Sequence, residues 1–563
     1  MSSIVGKRQG GQTYYYLVTS ARVEGKPRIV SQQYLGSSAE VMAKLAGTSA
    51  GEPVRTQHKK FGDLAAVWGM LERLDVAGAV DAVAPRRSDA AASVGTYIAL
   101  ATANRIVAPC SKLAFAEWWA GTAGPRWTRL PAAALDHRRF WKAMDRLGEP
   151  ELRRIEAQIG RRLVSEFDLD LSGLALDMTN FATFIDSANE RAPIAQRGKA
   201  KQKRVDLRLV ALALVVSRDG GVPLVSHAYP GDRPDVTQFP AVIDELMARY
   251  RELAGGGAQS LTVVYDAGQN SAANQARIEA AEIGFVGSLP PSQHPELLAI
   301  PTASYAEVDA QRYPGLTCVD TQVSALGVTR RALLTHSPSL HAAQSRGFEQ
   351  TLAKVGRRLA EVEARLERGK ARLERAAVAD EIAAICRPRW VSEVMRASLS
   401  GEQPAELRLS WRVDAKARAR LEERLFGKRI LFTSRDEWPA AEVVAAYRSQ
   451  SEVEAGFRQM KDPRVVSFAP MHHWTDSKIR VHVFYCVLAL SVAHLMRREA
   501  EQAGLHLSVR ELLATLGGIE ETVLLYHDGG KGRPRARRML TEMSPVQQRL
   551  AELFGIGRYA PTR

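Results

Sequence analysis

Residues 261–289 read LTVVYDAGQNSAANQARIEAAEIGFVGSL and contain the pattern that decides the fold class. The apolar run Leu261–Tyr265 predicts a buried strand, Ser271–Ile283 predicts a helix, and Phe285–Leu289 predicts a second strand. Strands and helices that alternate in this way are typical of a sheet with helices packed against it. The sequence therefore predicts an α/β domain, with Asp266 directly after the first strand of this unit.

The preceding segment predicts further elements of the same domain. Leu171–Asp177 (LSGLALD) has a short strand pattern that ends in an acid, and Leu207–Ser217 with Val222–Tyr229 predicts a hairpin. Residues 238–254 predict an amphipathic helix, which the glycine run Gly255–Gly257 should end. This order favours a mixed sheet with flanking helices.

The N-terminal part has a different pattern. Residues 13–35 alternate and are rich in β-forming side chains, and Gly25-Lys26-Pro27 breaks the run, so they predict a hairpin. Residues 62–120 and 136–165 are mostly helical by pattern.

Residues 300–430 interrupt the α/β pattern and are expected to be mostly helical. Apolar residues at three- and four-residue steps, with one step skipped, are Leu352, Val355, Leu359, Val362, Leu366 and Leu373. This spacing predicts a heptad seam. It indicates either a helix that packs on its own chain, or a dimer contact or DNA-tracking arm. Leu407–Trp411 and Arg429–Thr433 are strand-like, and the basic stretch Lys531–Arg538 is either a phosphate-contacting loop or a solvated one.

Charge favours a polyanionic partner. The 563 residues include 77 Lys and Arg against 62 Asp and Glu, which gives a formal charge of +15. Basic side chains bind nucleic acids because they displace condensed counterions from phosphates. A merely basic enzyme is the alternative.

Cysteine use and hydropathy predict a soluble, cytoplasmic protein without membrane contact. The cysteines are Cys110, Cys318, Cys386 and Cys486. Their wide spacing indicates neither a zinc site nor a disulfide framework. The longest apolar run, Val481–Leu495, is shorter than the ~20 residues of a membrane span and predicts a buried helix. Met1–Gly11 has no apolar signal region.

Three acids are the candidate catalytic residues. Asp177 and Asp266 are predicted at strand ends, where a rigid sheet can position a carboxylate, although turns also favour aspartate. Glu454 lies within residues 447–461 (YRSQSEVEAGFRQMK), on a predicted helix whose stripe also includes Tyr447, Gln450 and Lys461. A surface helix with one polar stripe is the alternative.

Three carboxylates suit an active site in which two metal ions assist the attack of water or a 3′-hydroxyl on a phosphodiester. Two divalent ions about 3.5–4 Å apart can stabilise the entering and the leaving oxygen. Mg²⁺ prefers oxygen ligands. A lysine on the same helix face can hold a nearby phosphate as a point charge.

The sequence resembles bacterial insertion-sequence transposases of the DDE type, which have a ribonuclease H-like catalytic domain and a Tyr-Arg-Glu-Lys (YREK) signature. Tyr447, Glu454 and Lys461 match that signature in identity and spacing, whereas Gln450 stands at its Arg position and Arg458 is a candidate substitute. The family's first acid has a D-x-T context, which Asp177-Met178-Thr179 matches, and Asp266-Ala267-Gly268 matches the second. Residues 464–490 and the N-terminal hairpin resemble further parts of one branch of the family.

The resemblance implies ligands and partners. Asp177, Asp266 and Glu454 would bind two Mg²⁺, with Mn²⁺ as a plausible substitute. The residues that would contact DNA are Tyr447, Gln450, Arg458 and Lys461. The DNA would be the terminal inverted repeats and the target, and the active complex would be a homodimer near the nucleoid. In relatives an insertion-domain tryptophan stacks on a flipped base, for which Trp390, Trp411 and Trp438 are candidates, although each also fits a core position.

Six ranges describe the expected organisation. They are 1–60, an N-terminal hairpin region; 61–165, a helical DNA-end-binding region; 166–299, the first part of the ribonuclease H-like core; 300–430, a largely helical insertion domain; 431–500, the second part of the core; and 501–563, a basic helical tail.

The expected function is transposition: cleavage of the element's ends, followed by attack of the 3′-hydroxyl on target DNA. The alternatives are a domesticated DNA-binding relative without catalysis, a basic coiled-coil scaffold, and a nuclease without strand transfer.

Overall fold

The computed structural model describes residues 2–23, 26–46, 53–88, 90–198, 206–254, 261–368, 373–526 and 535–562. The chain divides into two compact units. The smaller unit consists of Met1–Gly69, Ala116–Leu130 and Glu511–Arg563, and the larger unit consists of Met70–Phe115 and Pro131–Arg510. Gly25, Gly255–Gly257 and the first half of the basic stretch 531–538 lie outside the described residues.

The strands are, in chain order, β1 (Ser2–Gln9), β2 (Gln12–Val23), β3 (Lys26–Ser37), β4 (Arg55–Lys60), β5 (Gly173–Thr183), β6 (Gln196–Arg197), β7 (Arg208–Ser217), β8 (Pro223–Pro230), β9 (Thr262–Val264), β10 (Gly284–Leu289), β11 (Ala306–Glu307), β12 (Thr317–Ala325), β13 (Val328–His336), β14 (Met395–Ser400), β15 (Arg408–Val413), β16 (Lys428–Thr433), β17 (Glu520–Tyr526) and β18 (Arg535–Leu540).

The α-helices are α1 (Ser38–Ala46), α2 (Gly62–Arg73), α3 (Val76–Val83), α4 (Val94–Val107), α5 (Phe115–Ala120), α6 (Gly124–Thr128), α7 (His137–Met144), α8 (Glu149–Phe167), α9 (Asp235–Ala254), α10 (Ala272–Ala280), α11 (Pro295–Leu298), α12 (Pro338–Glu367), α13 (Arg375–Ile385), α14 (Val391–Val394), α15 (Ala415–Leu425), α16 (Ala440–Arg448), α17 (Gln450–Met460), α18 (Asp476–Gln502), α19 (Val509–Gly517) and α20 (Pro545–Leu553).

A ten-stranded mixed sheet forms the centre of the larger unit. Its order is β11-β12-β13-β16-β10-β9-β5-β7-β6, and β8 pairs with β7. β9 runs parallel to both β5 and β10, whereas β5 and β7 are antiparallel. Every residue of β7 is buried, which explains its unbroken apolar sequence. The predicted mixed α/β fold class, with its central strand-helix-strand unit and hairpin, is confirmed.

β5 continues beyond Asp177, so the prediction that this acid ends its strand is wrong. Asp177 pairs with Leu214 in the middle of β5, and the ladder continues to Thr183 opposite Arg208. The continuation forms because β7, whose paired residues run from Ala213 opposite Met178 to Arg208 opposite Thr183, supplies the hydrogen bonds. Asp266 follows β9, as predicted.

Residues 300–430 are only partly helical. β12, β13 and β16 extend the large sheet, so the prediction of a mostly helical segment is wrong for residues 317–336. The apolar positions of β12 are few, and its two buried residues, Cys318 and Val323, are five positions apart, which left no clear alternation to recognise.

The heptad seam is a packing surface within the chain. Leu352, Val355, Leu359, Val362 and Leu366 are buried in one apolar cluster with residues of α13–α15 and β14–β15. The interpretation as a helix that packs on its own chain is therefore confirmed. The prediction is wrong for Leu373, which lies beyond the end of α12 and is 43% exposed.

The predicted helix over 447–461 is two helices. α16 ends at Arg448 and α17 begins at Gln450, with Ser449 between them. Tyr447 and Glu454 are therefore not on one continuous helix. The prediction that a single polar stripe includes both residues is wrong. The stretch 136–165 is likewise divided into α7 and α8 near Gly148.

The long apolar helix α18 lies inside the larger unit. It is long and apolar enough to cross a membrane by composition alone, but 94% of its most apolar window is buried against protein. It packs on α4, β8 and α17, as expected for a core helix.

The smaller unit contains two three-stranded sheets. One is β1-β2-β3, which includes the predicted hairpin and also β1, a strand the sequence analysis did not predict. The other is β18-β17-β4, in which β18 takes up the second half of the basic stretch. The buried carboxylate of Glu521 accepts hydrogen bonds from Arg126 and Arg538. The four cysteines of the sequence are free.

Candidate active site

A row of polar side chains crosses three neighbouring parallel strands of the large sheet. Ala175, Val264 and Val286 are at one level of β5, β9 and β10. Two residues further along, Asp177 and Ser288 stand within β5 and β10, whereas Asp266 stands just past the end of β9. Residues two apart share a face of the sheet, and neighbouring strands are about 4.7–4.9 Å apart. The register therefore brings the two aspartates side by side.

Asp266 is held by two hydroxyl groups. Its Oδ1 accepts a hydrogen bond of 3.0 Å from Ser288 Oγ and one of 3.2 Å from Tyr447 Oη. Burial, together with the Asp266 carboxylate, raises the pKa of the Tyr447 phenol, so the phenol stays a neutral donor. Tyr447 comes from α16, and the contact therefore fixes the end of that helix beside the second acid.

α17 packs on β5 beside Asp177. Near its start, the buried Gln450 donates from Nε2 to the Leu176 carbonyl at 3.1 Å. Directly after its end, Lys461 Nζ donates to Thr179 Oγ1 at 2.8 Å and lies 5.4 Å from the centre of the Phe181 ring. Glu454 lies one helical turn after Gln450, between these two contacts, and is exposed. The helix therefore carries Glu454 along the strand that bears Asp177.

The donor set suits a hard divalent cation. Asp177, Asp266 and Glu454 offer carboxylate oxygens, the ligand type that Mg²⁺ prefers. Asp177 is half-buried, whereas Asp266 and Glu454 are exposed. In the part of the chain that the structure describes, no three His, Cys, Asp or Glu side chains form a cluster that could hold a metal ion. The structure thus aligns the two aspartates and places Glu454 on the adjacent helix, and a shared metal stays a prediction.

Basic side chains border the row. The exposed Arg429 of β16 stacks on the Tyr447 ring with its guanidinium 5.0 Å from the ring centre, and Arg448 stacks on Tyr313 at 4.2 Å. Arg458 is exposed on α17. The predicted DNA contacts of Tyr447, Gln450, Arg458 and Lys461 are not tested by this geometry and stay predictions.

Ser288 and Arg429 were not predicted from the sequence as residues of this site. Ser288 follows Val286 by two positions, as Asp266 follows Val264. This equal spacing after two apolar strands could have indicated that Ser288 lies beside Asp266. Arg429 had no comparable signal, because β16 reaches Tyr447 only through the sheet order.

The tryptophan candidates are in packing positions. Trp390 contacts the rings of Phe348 and Phe426, and Trp411 Nε1 donates to Glu363 at 2.9 Å. Trp438 lies against Arg435. The most exposed tryptophan of the described residues is instead Trp474, at 53%, outside the predicted insertion range.

Comparison with known proteins decides the family. The model of the "Transposase DDE domain" family matches residues 169–491, more than half of the chain, and this range includes Asp177, Asp266 and Glu454. The chain belongs to the transposase DDE domain family. Members of this family are phosphodiester-cleaving transposases that typically use divalent metal ions.

Other comparisons add little to this assignment. No curated protein matches this DDE transposase. A solved structure, the synaptic complex of piggyBac transposase with hairpin DNA, is similar with a TM-score of 0.37 and 9% identity over 82% of each chain.

Proposed function

We propose that this DDE transposase is the transposase of a bacterial insertion sequence, which cleaves the ends of its element and joins them to target DNA. Asp177, Asp266 and Glu454 are the proposed catalytic residues and ligands of two Mg²⁺, with Mn²⁺ as a substitute. The observation that carries the proposal is that Asp177 on β5 and Asp266, just past the end of the adjacent parallel strand β9, follow paired residues by two positions, with the Glu454 helix packed on β5.

The sheet supports the proposal that the catalytic core is ribonuclease H-like. Asp177 stands on the central strand β5, Asp266 stands just past the end of the neighbouring central strand β9, and helices cover the sheet. A carboxylate on such a rigid element keeps its position during a reaction better than one on a loop.

Each residue has a proposed role. Bound metal ions would activate the attacking oxygen and stabilise the leaving one. Ser288 and Tyr447 hold the Asp266 carboxylate in one orientation through their hydroxyl groups. Lys461 and Arg429 supply positive charge beside the row, where a DNA phosphate would lie.

The proposed partners follow from the reaction. DNA carrying the element's terminal inverted repeats and target DNA are the substrates, and a homodimer would hold two ends in one complex. We propose that the protein works in the bacterial cytoplasm at the nucleoid. The formal charge of +15 supports a DNA partner.

Separate substitutions of the acids test the proposal. We expect Asp177→Asn, Asp266→Asn and Glu454→Gln each to lower Mg²⁺-dependent cleavage of terminal-repeat DNA by at least about 100-fold, because the isosteric amide loses the charge that holds the metal. Gel analysis of cut and joined DNA is the measurement, and joined product distinguishes a transposase from a nuclease.

Glu452→Gln is the matched control on the same helix. Glu452 accepts a 2.7 Å hydrogen bond from Arg497 Nη2, away from the aspartate row. The Glu452→Gln variant should keep most of the cleavage activity. Wild-type cleavage by a variant of any of the three acids would refute the assigned site, and cut DNA without joined product would leave only a nuclease.

A further inference from the structure

A cavity of about 290 Å³ lies in the larger unit, apart from the aspartate row. The residues that line it include Arg105, Lys112, His472, Tyr485 and Trp141. Trp141 is 39% exposed, so the cavity opens to solvent beside an aromatic side chain.

Lys112 is a buried cation with no hydrogen-bond partner. The residue is 8% exposed, and its Nζ contacts no acceptor among the described residues. The ammonium group instead lies 5.3 Å from the centre of the Phe140 ring and 4.6 Å from that of Tyr485. Such ring contacts offset part of the lost hydration but supply no negative charge.

Arg105 adds a second buried charge to the same wall. It is 1% exposed, and its guanidinium donates to the carbonyls of Ala469, at 3.1 Å, and of Cys110. No carboxylate is among the residues that line the cavity in the described part of the chain. Burying two cations without a counter-charge is unfavourable.

The protonation of Lys112 reflects this imbalance. Burial and the nearby Arg105 lower the pKa of the Lys112 ammonium to about 7. An anion in the cavity would favour the charged form and would restore a compensated pair. The chemistry of the wall therefore fits an oxyanion that accepts hydrogen bonds from several donors.

We propose that this cavity binds a phosphate group, with Lys112 and Arg105 supplying the positive charge. The phosphate is either part of a DNA backbone or a free ion. The DNA alternative rests on the proposed function, whereas the free-ion alternative does not.

Binding measurements on the full chain distinguish the two sources. We would compare wild type with Lys112→Met, which removes the buried charge and keeps the length of the side chain. One arm measures the thermal midpoint with inorganic phosphate against chloride at equal ionic strength. The other measures the affinity for duplex DNA at several salt concentrations.

The predicted results are specific for each source. Free phosphate should raise the midpoint of wild type by several degrees and that of Lys112→Met much less. If the phosphate belongs to the DNA backbone, Lys112→Met loses one phosphate contact. Its slope of log affinity against log salt concentration should then be shallower than that of wild type by about 1. Either result supports the phosphate site.

Two further variants control for folding and for general charge. Lys112→Arg keeps the charge and should keep most of the effect. Lys142→Met removes an exposed lysine of α7 that does not line the cavity, and it should behave as wild type. The proposal is overturned if Lys112→Met is folded and matches wild type in both arms. Because neither arm measures cleavage, loss of catalysis in an Asp177 variant leaves this result unaffected.

Discussion

The second acid of the row shows how neighbouring residues set the position of a catalytic side chain. Ser288 is buried, and its hydroxyl reaches Asp266 from the adjacent strand β10. Sequence alone identified Asp177 and Asp266, because each follows a strongly apolar run. It did not identify Ser288, whose role depends on the register between β9 and β10.

Removal of the Ser288 hydroxyl should weaken metal binding. In Ser288→Ala, Asp266 loses the Ser288 hydroxyl donor and keeps that of Tyr447, and loss of such an outer partner typically costs about 10–100-fold in metal affinity or activity. We expect the Mg²⁺ concentration for half-maximal cleavage to rise and the rate to recover at high Mg²⁺. A reduced rate with unchanged Mg²⁺ dependence would contradict this role.

Asp63 makes stability depend on pH. Burial raises the pKa of this carboxyl to about 6, although its Oδ1 accepts a 2.7 Å hydrogen bond from the Leu64 amide. The folded pKa exceeds the unfolded value of 3.8. As pH rises above 3.8 the unfolded chain ionises first, so stability falls until about pH 6 and is then constant.

The Asp63→Asn variant should not lose stability between pH 3.8 and about pH 6, because the amide does not ionise, and it should keep an oxygen that accepts the hydrogen bond. We expect its thermal midpoint to exceed that of wild type by a few degrees at pH 8, since one pKa unit corresponds to about 1.4 kcal/mol, and to approach it at pH 4. Glu542→Gln, at an exposed position of the same unit, is the control. A constant difference between pH 4 and pH 8 would disprove the assignment.

At the scale of elements, periodicity predicted strands and helices but not their interruptions. The helix pattern over 447–461 continues through Ser449, where α16 has ended and α17 has not yet begun. The break is set by tertiary contacts: Tyr447 bonds to Asp266 and Gln450 to the Leu176 carbonyl. Neither contact can be predicted from the residues that surround Ser449 in the sequence.

The apolar seam of α12 provides a test of packing within the chain. Leu359 is fully buried in the cluster around α12, so Leu359→Ala should lower the free energy of unfolding by about 2–5 kcal/mol. Chemical denaturation is the measurement. Leu373→Ala, at an exposed position, should change it by less than about 0.5 kcal/mol. If Leu359→Ala instead dissociates an oligomer and leaves the free energy of unfolding unchanged, the seam is an intermolecular contact.

At the scale of the whole molecule, the sequence predicted the fold class but could not show how distant segments combine. β4 pairs with β17 although about 460 residues separate them, and three separate ranges form the smaller unit. Such pairings leave no local periodicity. The six ranges expected from the sequence therefore stay predictions, while the matched family range joins all three acids in one domain.

The proposed reaction requires Asp177, Asp266 and Glu454 to share metal ions, and diffraction tests this requirement most directly. Crystals of the protein with terminal-repeat DNA and Mn²⁺ should give two anomalous peaks about 3.5–4 Å apart, coordinated by all three carboxylates. Peaks elsewhere in the molecule, or a pair of ions that Glu454 does not reach, would contradict the proposed metal site.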